Sequence, residues 1–122
     1  MVHMPDREPK ETALSFFGDH SAEVLEHLRG AVATIMQAVP ELPSPRPVDI
    51  AERLGIDSKL AWKIANVIDG GDPFRAAQYI PGTAAFRIFL RAAANRNVPK
   101  ALIASAKAAF GSYRDLVDTH AG

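Results

Sequence analysis

The stretch PVDIAERLGIDSKLAWKIANVI, residues 47–68, decides how this chain folds. Pro47 suits the first position of a helix, because proline has no N–H to donate and its φ is already helical. Gly55 ends this short helix, since glycine adopts a positive φ at little cost. Asp57 or Ser58 can then cap a second helix. The sequence therefore predicts two helices joined by a tight turn.

This pair of helices resembles the helix-turn-helix of bacterial DNA-binding regulators. That pattern has an apolar residue and then a small one in the first helix, so that the two helices approach closely. It also has apolar residues on both sides of the turn glycine, and two more, three apart, in the second helix. The matching residues are Ile50, Ala51, Leu54, Gly55, Ile56, Ala61 and Ile64. The resemblance covers residues 47–68 and implies a DNA-binding transcriptional regulator.

The second helix, at 58–68, has an apolar side and a polar side. The residues that we expect in the core are Leu60, Ala61, Ile64, Val67 and Ile68. The opposite side carries Ser58, Lys59, Trp62, Lys63 and Asn66. Lysine can reach phosphate or guanine, asparagine can read adenine, and a ring can contact a sugar or a thymine methyl. This side is predicted to enter the major groove; the alternative is that Trp62 packs under a later helix and the pair is purely structural.

Four arginines are candidates for contacts with the DNA backbone. Arg46 precedes the first helix of the pair and Arg53 lies near its end, and both are expected to touch the DNA backbone beside the reading helix. Arg87 and Arg91, with Asn95, follow one another at four-residue steps and form one polar stripe. Such a stripe can lie along phosphates without reading sequence. The alternative for each residue is a solvated outer face.

The charges are distributed unevenly, although 14 basic and 14 acidic residues give the chain no net charge. Residues 1–44 hold seven acidic and three basic side chains, a net charge of −4. Residues 45–122 hold eleven basic and seven acidic ones, a net charge of +4. From Pro73 to Arg114 there are seven basic residues and no acidic one. This asymmetry indicates an anionic partner or, alternatively, a solvated helix face.

The rest of the chain also has helical periodicity, and no segment alternates like a strand. A helix is predicted over 22–39 with Ser21 as the cap, because apolar residues recur there at spacings of three and four. The same spacing would serve a coiled-coil seam. Further helices are predicted over 73–79 with Asp72 as the cap, over 83–95 with Thr83 as the cap, and over 99–119. We therefore expect an all-α, compact bundle of five to seven helices: a flexible N-terminal tail over 1–12 and a single helical domain over 13–122.

Several function classes find no support in the sequence. There is no cysteine, so disulfides and thiolate sites are excluded. The four histidines lack metal-ligand spacing, and no Gly-rich phosphate loop or catalytic triad can be assembled. We therefore expect no enzyme, no cofactor and no metal site. No apolar run reaches the about 20 residues of a membrane span, and the start has no signal-peptide pattern. A cytoplasmic location is the resulting expectation.

The most favoured function is binding of double-stranded DNA, with the helix at 58–68 in the major groove. The resemblance implies a homodimer on a two-fold site, with the first or the last helix as the seam. The rival hypothesis is a helical protein–protein interaction module that does not bind DNA. A third hypothesis is that an effector domain follows in a longer protein, because the last predicted helix ends close to DTHAG, residues 118–122.

Overall fold

Six α-helices and one short 3₁₀-helix make up the described part of the chain. The computed structural model describes the backbone of residues 8–69 and 72–121, and the side chains of residues 20–69 and 72–119. The helices are α1 (Glu8–Ala38), α2 (Pro47–Leu54), α3 (Ser58–Ile68), α4 (Pro73–Ala76) with the 3₁₀-helix Ala77–Tyr79, α5 (Thr83–Asn95) and α6 (Lys100–Ala121). Those residues contain no strand, so the predicted all-α bundle is confirmed. None of the described helices combines the length and apolar composition of a membrane span.

α1 is longer than the periodicity predicted. It begins at Glu8 rather than at residue 22, so residues 8–12 of the expected tail are helical. Residues 1–7 of that tail lie outside the described residues. Pro9 falls in the first turn, where no N–H is required, and Gly18 alone does not end a helix. Ser21 suggested a helix start, because serine is a good cap, but it is also tolerated inside a helix.

The apolar row of α1 faces the core of the domain. Four residues of this row are at most 4% exposed, Leu25, Leu28, Val32 and Ile35, and so is Val39 directly after the helix. α1 packs most extensively against α6, and it also contacts α3 and α4. Ala106 and Ala109 of α6 are buried, and such small side chains let two helices approach closely. The row is therefore used within the domain and is not available as a coiled-coil seam.

The turn between α2 and α3 has the geometry that Gly55 predicts. Gly55 lies in the left-handed region with φ 67° and ψ 37°, and its N–H donates to the Ala51 carbonyl at 2.9 Å. Asp57 is the cap of α3, since its carboxylate accepts from the Lys59 N–H at 2.9 Å. At the other end of α3, Arg29 donates to the Ile68 carbonyl at 3.3 Å. The Arg29 bond joins α3 to α1, and α3 also packs against α2.

Gly55 and Gly111 allow a matched test of this turn. Gly55→Ala should lower the free energy of unfolding by about 1–2 kcal/mol, because an L-residue is strained in the left-handed region. Gly111→Ala should raise it by about 0.5–1 kcal/mol, since alanine is the better helix former. A Cβ added at Gly111 has no neighbour within 4 Å. Urea unfolding of both variants measures the pair, and a Gly55→Ala protein that is at least as stable as the unsubstituted protein would contradict the left-handed turn.

Two helices of the C-terminal half have predicted caps that can be compared with the structure. Asp72 caps α4 as predicted, accepting from the Phe74 N–H at 3.0 Å. Thr83 does not cap α5 as expected: Gly82 occupies the N-cap position without a side-chain bond, and Thr83 is the first helical residue.

Aromatic rings join the last two helices. The rings of Phe86 in α5 and Phe110 in α6 stack with centroids 4.3 Å apart. This contact fixes α5 beside α6.

Candidate nucleic-acid interface

The polar side of α3 is open to solvent over much of its length. Ser58, Lys59 and Trp62 are exposed, whereas Lys63 and Asn66 are partly buried. All five lie opposite the core residues of this helix, because Leu60, Ala61, Ile64 and Val67 are buried and Ile68 is partly buried. The structure therefore brings five of the nine predicted site residues onto one face.

Trp62 is anchored at one edge and open elsewhere. Its ring meets that of Tyr79 edge to face, with centroids 5.3 Å apart and planes at 80°. Its side chain nevertheless remains 48% exposed. Trp62 thus packs on a later element, as the structural alternative expects, but is not buried beneath it. An aromatic ring with one edge fixed and a free surface can contact a base, a sugar or another protein.

Asn66 is engaged with its own helix. Its Nδ2 donates to the Trp62 carbonyl at 2.8 Å. Reading adenine in the major groove uses the amide oxygen as acceptor and the amide nitrogen as donor together. One of the two amide hydrogens is committed to this bond, and the second hydrogen and the oxygen remain for a base. The bond fixes how the amide group of Asn66 is oriented.

Arg46 is placed at the N-cap position of α2, beside a small polar network. Its Nε donates to Asp49 Oδ2 at 3.0 Å and to Ser44 Oγ at 3.1 Å. The Ser44 hydroxyl and the Arg46 guanidinium hold the pKa of Asp49 below its usual value. The Arg46 side chain is still 71% exposed, so its other N–H groups are available to an anion.

Arg53 has an intramolecular role that the sequence did not indicate. Its Nε donates to the Pro40 carbonyl at 2.9 Å, and its Nη2 lies 3.6 Å from Glu41 Oε1. Glu41 itself adopts a positive φ of 61°. Arg53 therefore secures α2 to the turn that follows α1. Fewer of its N–H groups remain for a phosphate.

A cleft of about 740 Å³ runs beside α3 and collects three predicted residues. Arg46, Trp62 and Asn66 line it, together with the end of α1 and the segment between α1 and α2. The three prolines of residues 41–47 by themselves indicate only a linker or a turn. The signal that was missed is the combination of Leu42 with three prolines, which can form a rigid apolar wall.

Arg87 and Arg91 are not brought to this surface. Both are exposed on α5 and line a separate groove between α5 and α6. α3 packs on α1, α2, α4 and the 3₁₀-helix instead. Lys107 and Arg114 line the same groove as the two arginines. The predicted site residues thus fall into two separate groups.

The chain matches no family model, no curated protein and no solved structure. Among the residues that the structure describes, no three His, Asp or Glu side chains are arranged to hold a metal ion. The surface of α3 and its surroundings are therefore the features that bear on function.

Proposed function

We propose that this protein binds double-stranded DNA by placing α3 in the major groove. The observation that carries the proposal is the free polar face of α3, which follows directly on the Gly55 turn. A helix with its side chains is about 10–12 Å across and the major groove is about 12 Å wide, so an exposed helix fits it. α2 supports α3 from behind through Ile50 and Leu54, which are buried.

The contacts follow from the chemistry of this face. Lys59 and Lys63 neutralise phosphates or donate to guanine, and Ser58 donates at the start of the helix. Trp62 supplies apolar contact to a sugar or a thymine methyl. Arg46 reaches a phosphate beside α2, in keeping with its exposure. A single module of this kind buries a small area, so a homodimer on a two-fold site is part of the proposal.

The test uses Trp62, which is the only tryptophan in the chain. Mixed-sequence duplex DNA is titrated into the full chain, and tryptophan emission is followed at 50 and 200 mM salt. With Lys59, Lys63 and Arg46 on phosphates, log affinity falls with log salt at a slope of about −2.7, so we expect a roughly 40-fold loss of affinity.

The same titration is repeated with labelled DNA and fluorescence anisotropy, so that binding is detected even if the emission of Trp62 does not respond. Trp62→Phe serves as the control for the optical signal, because it keeps an aromatic ring. Absence of binding in both assays at 50 mM salt would contradict the proposal.

The cleft beside α3 favours a second candidate function, the binding of a protein segment. Its walls include Met36, Leu42, Pro43 and Trp62, and apolar or aromatic walls suit an extended peptide. This function predicts no salt-dependent affinity for DNA and a loss of Trp62 exposure in the complex. Two results together would favour this function. Neither DNA assay detects binding, and the protein binds a protein partner whose binding is lost in Trp62→Ala.

A further inference from the structure

The groove between α5 and α6 has a strongly basic rim. Arg87 and Arg91 lie on its α5 side, and Lys107 and Arg114 lie on its α6 side. No acidic residue is among those that line it, and the chain has none between Asp72 and Asp115. Asp118 lies 3.5 Å from Arg114, but both side chains are substantially exposed, and such pairs bind weakly. Four like charges around one groove create a positive potential that attracts an anion.

The base of the groove is apolar. Leu90, Ile103 and Phe110 lie between the two basic rims, and the ring of Phe110 stacks on Phe86. The volume is about 470 Å³, within the range of about 300–1,000 Å³ that is usual for small-molecule sites. The phosphate backbone of a nucleic acid would contact the cations but would make no favourable contact with the apolar base.

Gly111 gives the groove its depth. It lines the groove from α6, between Lys107 and Arg114, and a Cβ built on it has no neighbour within 4 Å. Any other residue would place a side chain in this space. The absence of one leaves room for a ligand between the two α6 cations.

We infer that this groove binds an anionic amphiphile, a soluble small molecule with an apolar body and a carboxylate or phosphate head. The apolar body lies on Leu90, Ile103 and Phe110, and the head group accepts hydrogen bonds from the arginines of the α5 rim. This site is independent of the DNA-binding proposal, because α3 contributes nothing to it.

The probe for the test is dodecanoate below its critical micelle concentration, measured by calorimetry on the full chain. Dodecanol and dodecyltrimethylammonium have the same tail with no charge and with the opposite charge. Dodecanoate should bind with a stoichiometry near one, and both other compounds at least about tenfold more weakly, because charge-assisted hydrogen bonds are the stronger ones. Equal affinity for the three compounds, or no binding of dodecanoate, would overturn the inference.

Two kinds of variant locate the site. Gly111→Leu fills the groove and should weaken dodecanoate binding at least about tenfold while thermal stability is kept, since leucine is a good helix former. Gly111→Ala, which adds one methyl group, should retain most of the affinity. Unchanged binding by a folded Gly111→Leu protein would overturn the inference.

The charge variants give an answer even if Gly111→Leu fails to fold. Arg87→Gln with Arg91→Gln should weaken dodecanoate binding at least about tenfold. Arg96→Gln with Lys100→Gln changes the net charge equally outside the groove and should have little effect. If the Arg87 and Arg91 pair of changes reduced DNA affinity but left dodecanoate affinity intact, these arginines would be phosphate contacts and the inference would fail.

Discussion

Replacing Ile64 by aspartate should unfold the protein. Ile64 has no exposed surface and lies on the core side of α3, against which α1 and α2 pack. The substitution removes a buried aliphatic side chain. Replacing a buried isoleucine by alanine alone costs about 2–5 kcal/mol of stability. It also places a carboxylate in the core. None of the described buried residues carries a basic side chain that could pair with it. Because domains are stable by only about 5–15 kcal/mol, these two effects together should exceed what the fold can lose.

Circular dichroism and thermal unfolding measure this outcome. Ile88→Asp is the matched control, since Ile88 lies in α5 with 51% of its surface exposed. The control makes the same chemical change at the surface and should cost about 1 kcal/mol or less, mainly through helix propensity. A folded Ile64→Asp protein with native dichroism would mean that the core and solvent faces of α3 are reversed, and the DNA proposal would then fall with them.

The second large expected effect is the loss of DNA binding when two lysines of α3 are replaced. Lys59→Ala combined with Lys63→Ala should abolish detectable DNA binding while leaving helicity unchanged. Both lysines lie on the free face of α3, four residues apart, and alanine is at least as good a helix former. Any residual binding at low salt should have a salt slope smaller by about 1.8, because two phosphate contacts are lost. Anisotropy of labelled duplex DNA at several salt concentrations gives both the affinity and the slope.

Lys100→Ala with Lys107→Ala is the matched control for this pair. It removes the same number of charges from α6, and Lys107 belongs to the separate groove. DNA affinity should change little in this control if α3 makes the contacts. An equal loss in both double variants would show that affinity follows overall charge, and an intact affinity in the Lys59 and Lys63 variant would exclude the groove-reading model.

Local signals predicted most of the helices. Pro47, Gly55 and the Asp72 cap act within a few residues of themselves, so their effects are visible in the sequence. The start of α1 was predicted wrongly, because Ser21 is compatible with both a cap and a helix interior. Thr83 was misassigned for a similar reason: Gly82, one residue earlier, takes the cap position without needing a side-chain bond.

The candidate sites depended far more on distant contacts. The polar face of α3 could be drawn from its periodicity alone, since the core residues of one helix define the opposite side. The exposure of Trp62 could not be predicted from periodicity, because its neighbour Tyr79 is seventeen positions further along the chain. Likewise the bond from Arg53 to the Pro40 carbonyl joins two separate elements, and no local pattern encodes it.

The sequence by itself determined an all-α chain, the two helices around Gly55, and the apolar and polar sides of α3. Periodicity, capping and positive φ act over one or two helical turns, so they are properties of short stretches. Only the tertiary structure decided that Arg87 and Arg91 face Lys107 and Arg114 across a groove to which α3 contributes no residue. Stacking of Phe86 on Phe110 sets α5 beside α6, and that packing between helices is what divides the basic residues into two surfaces.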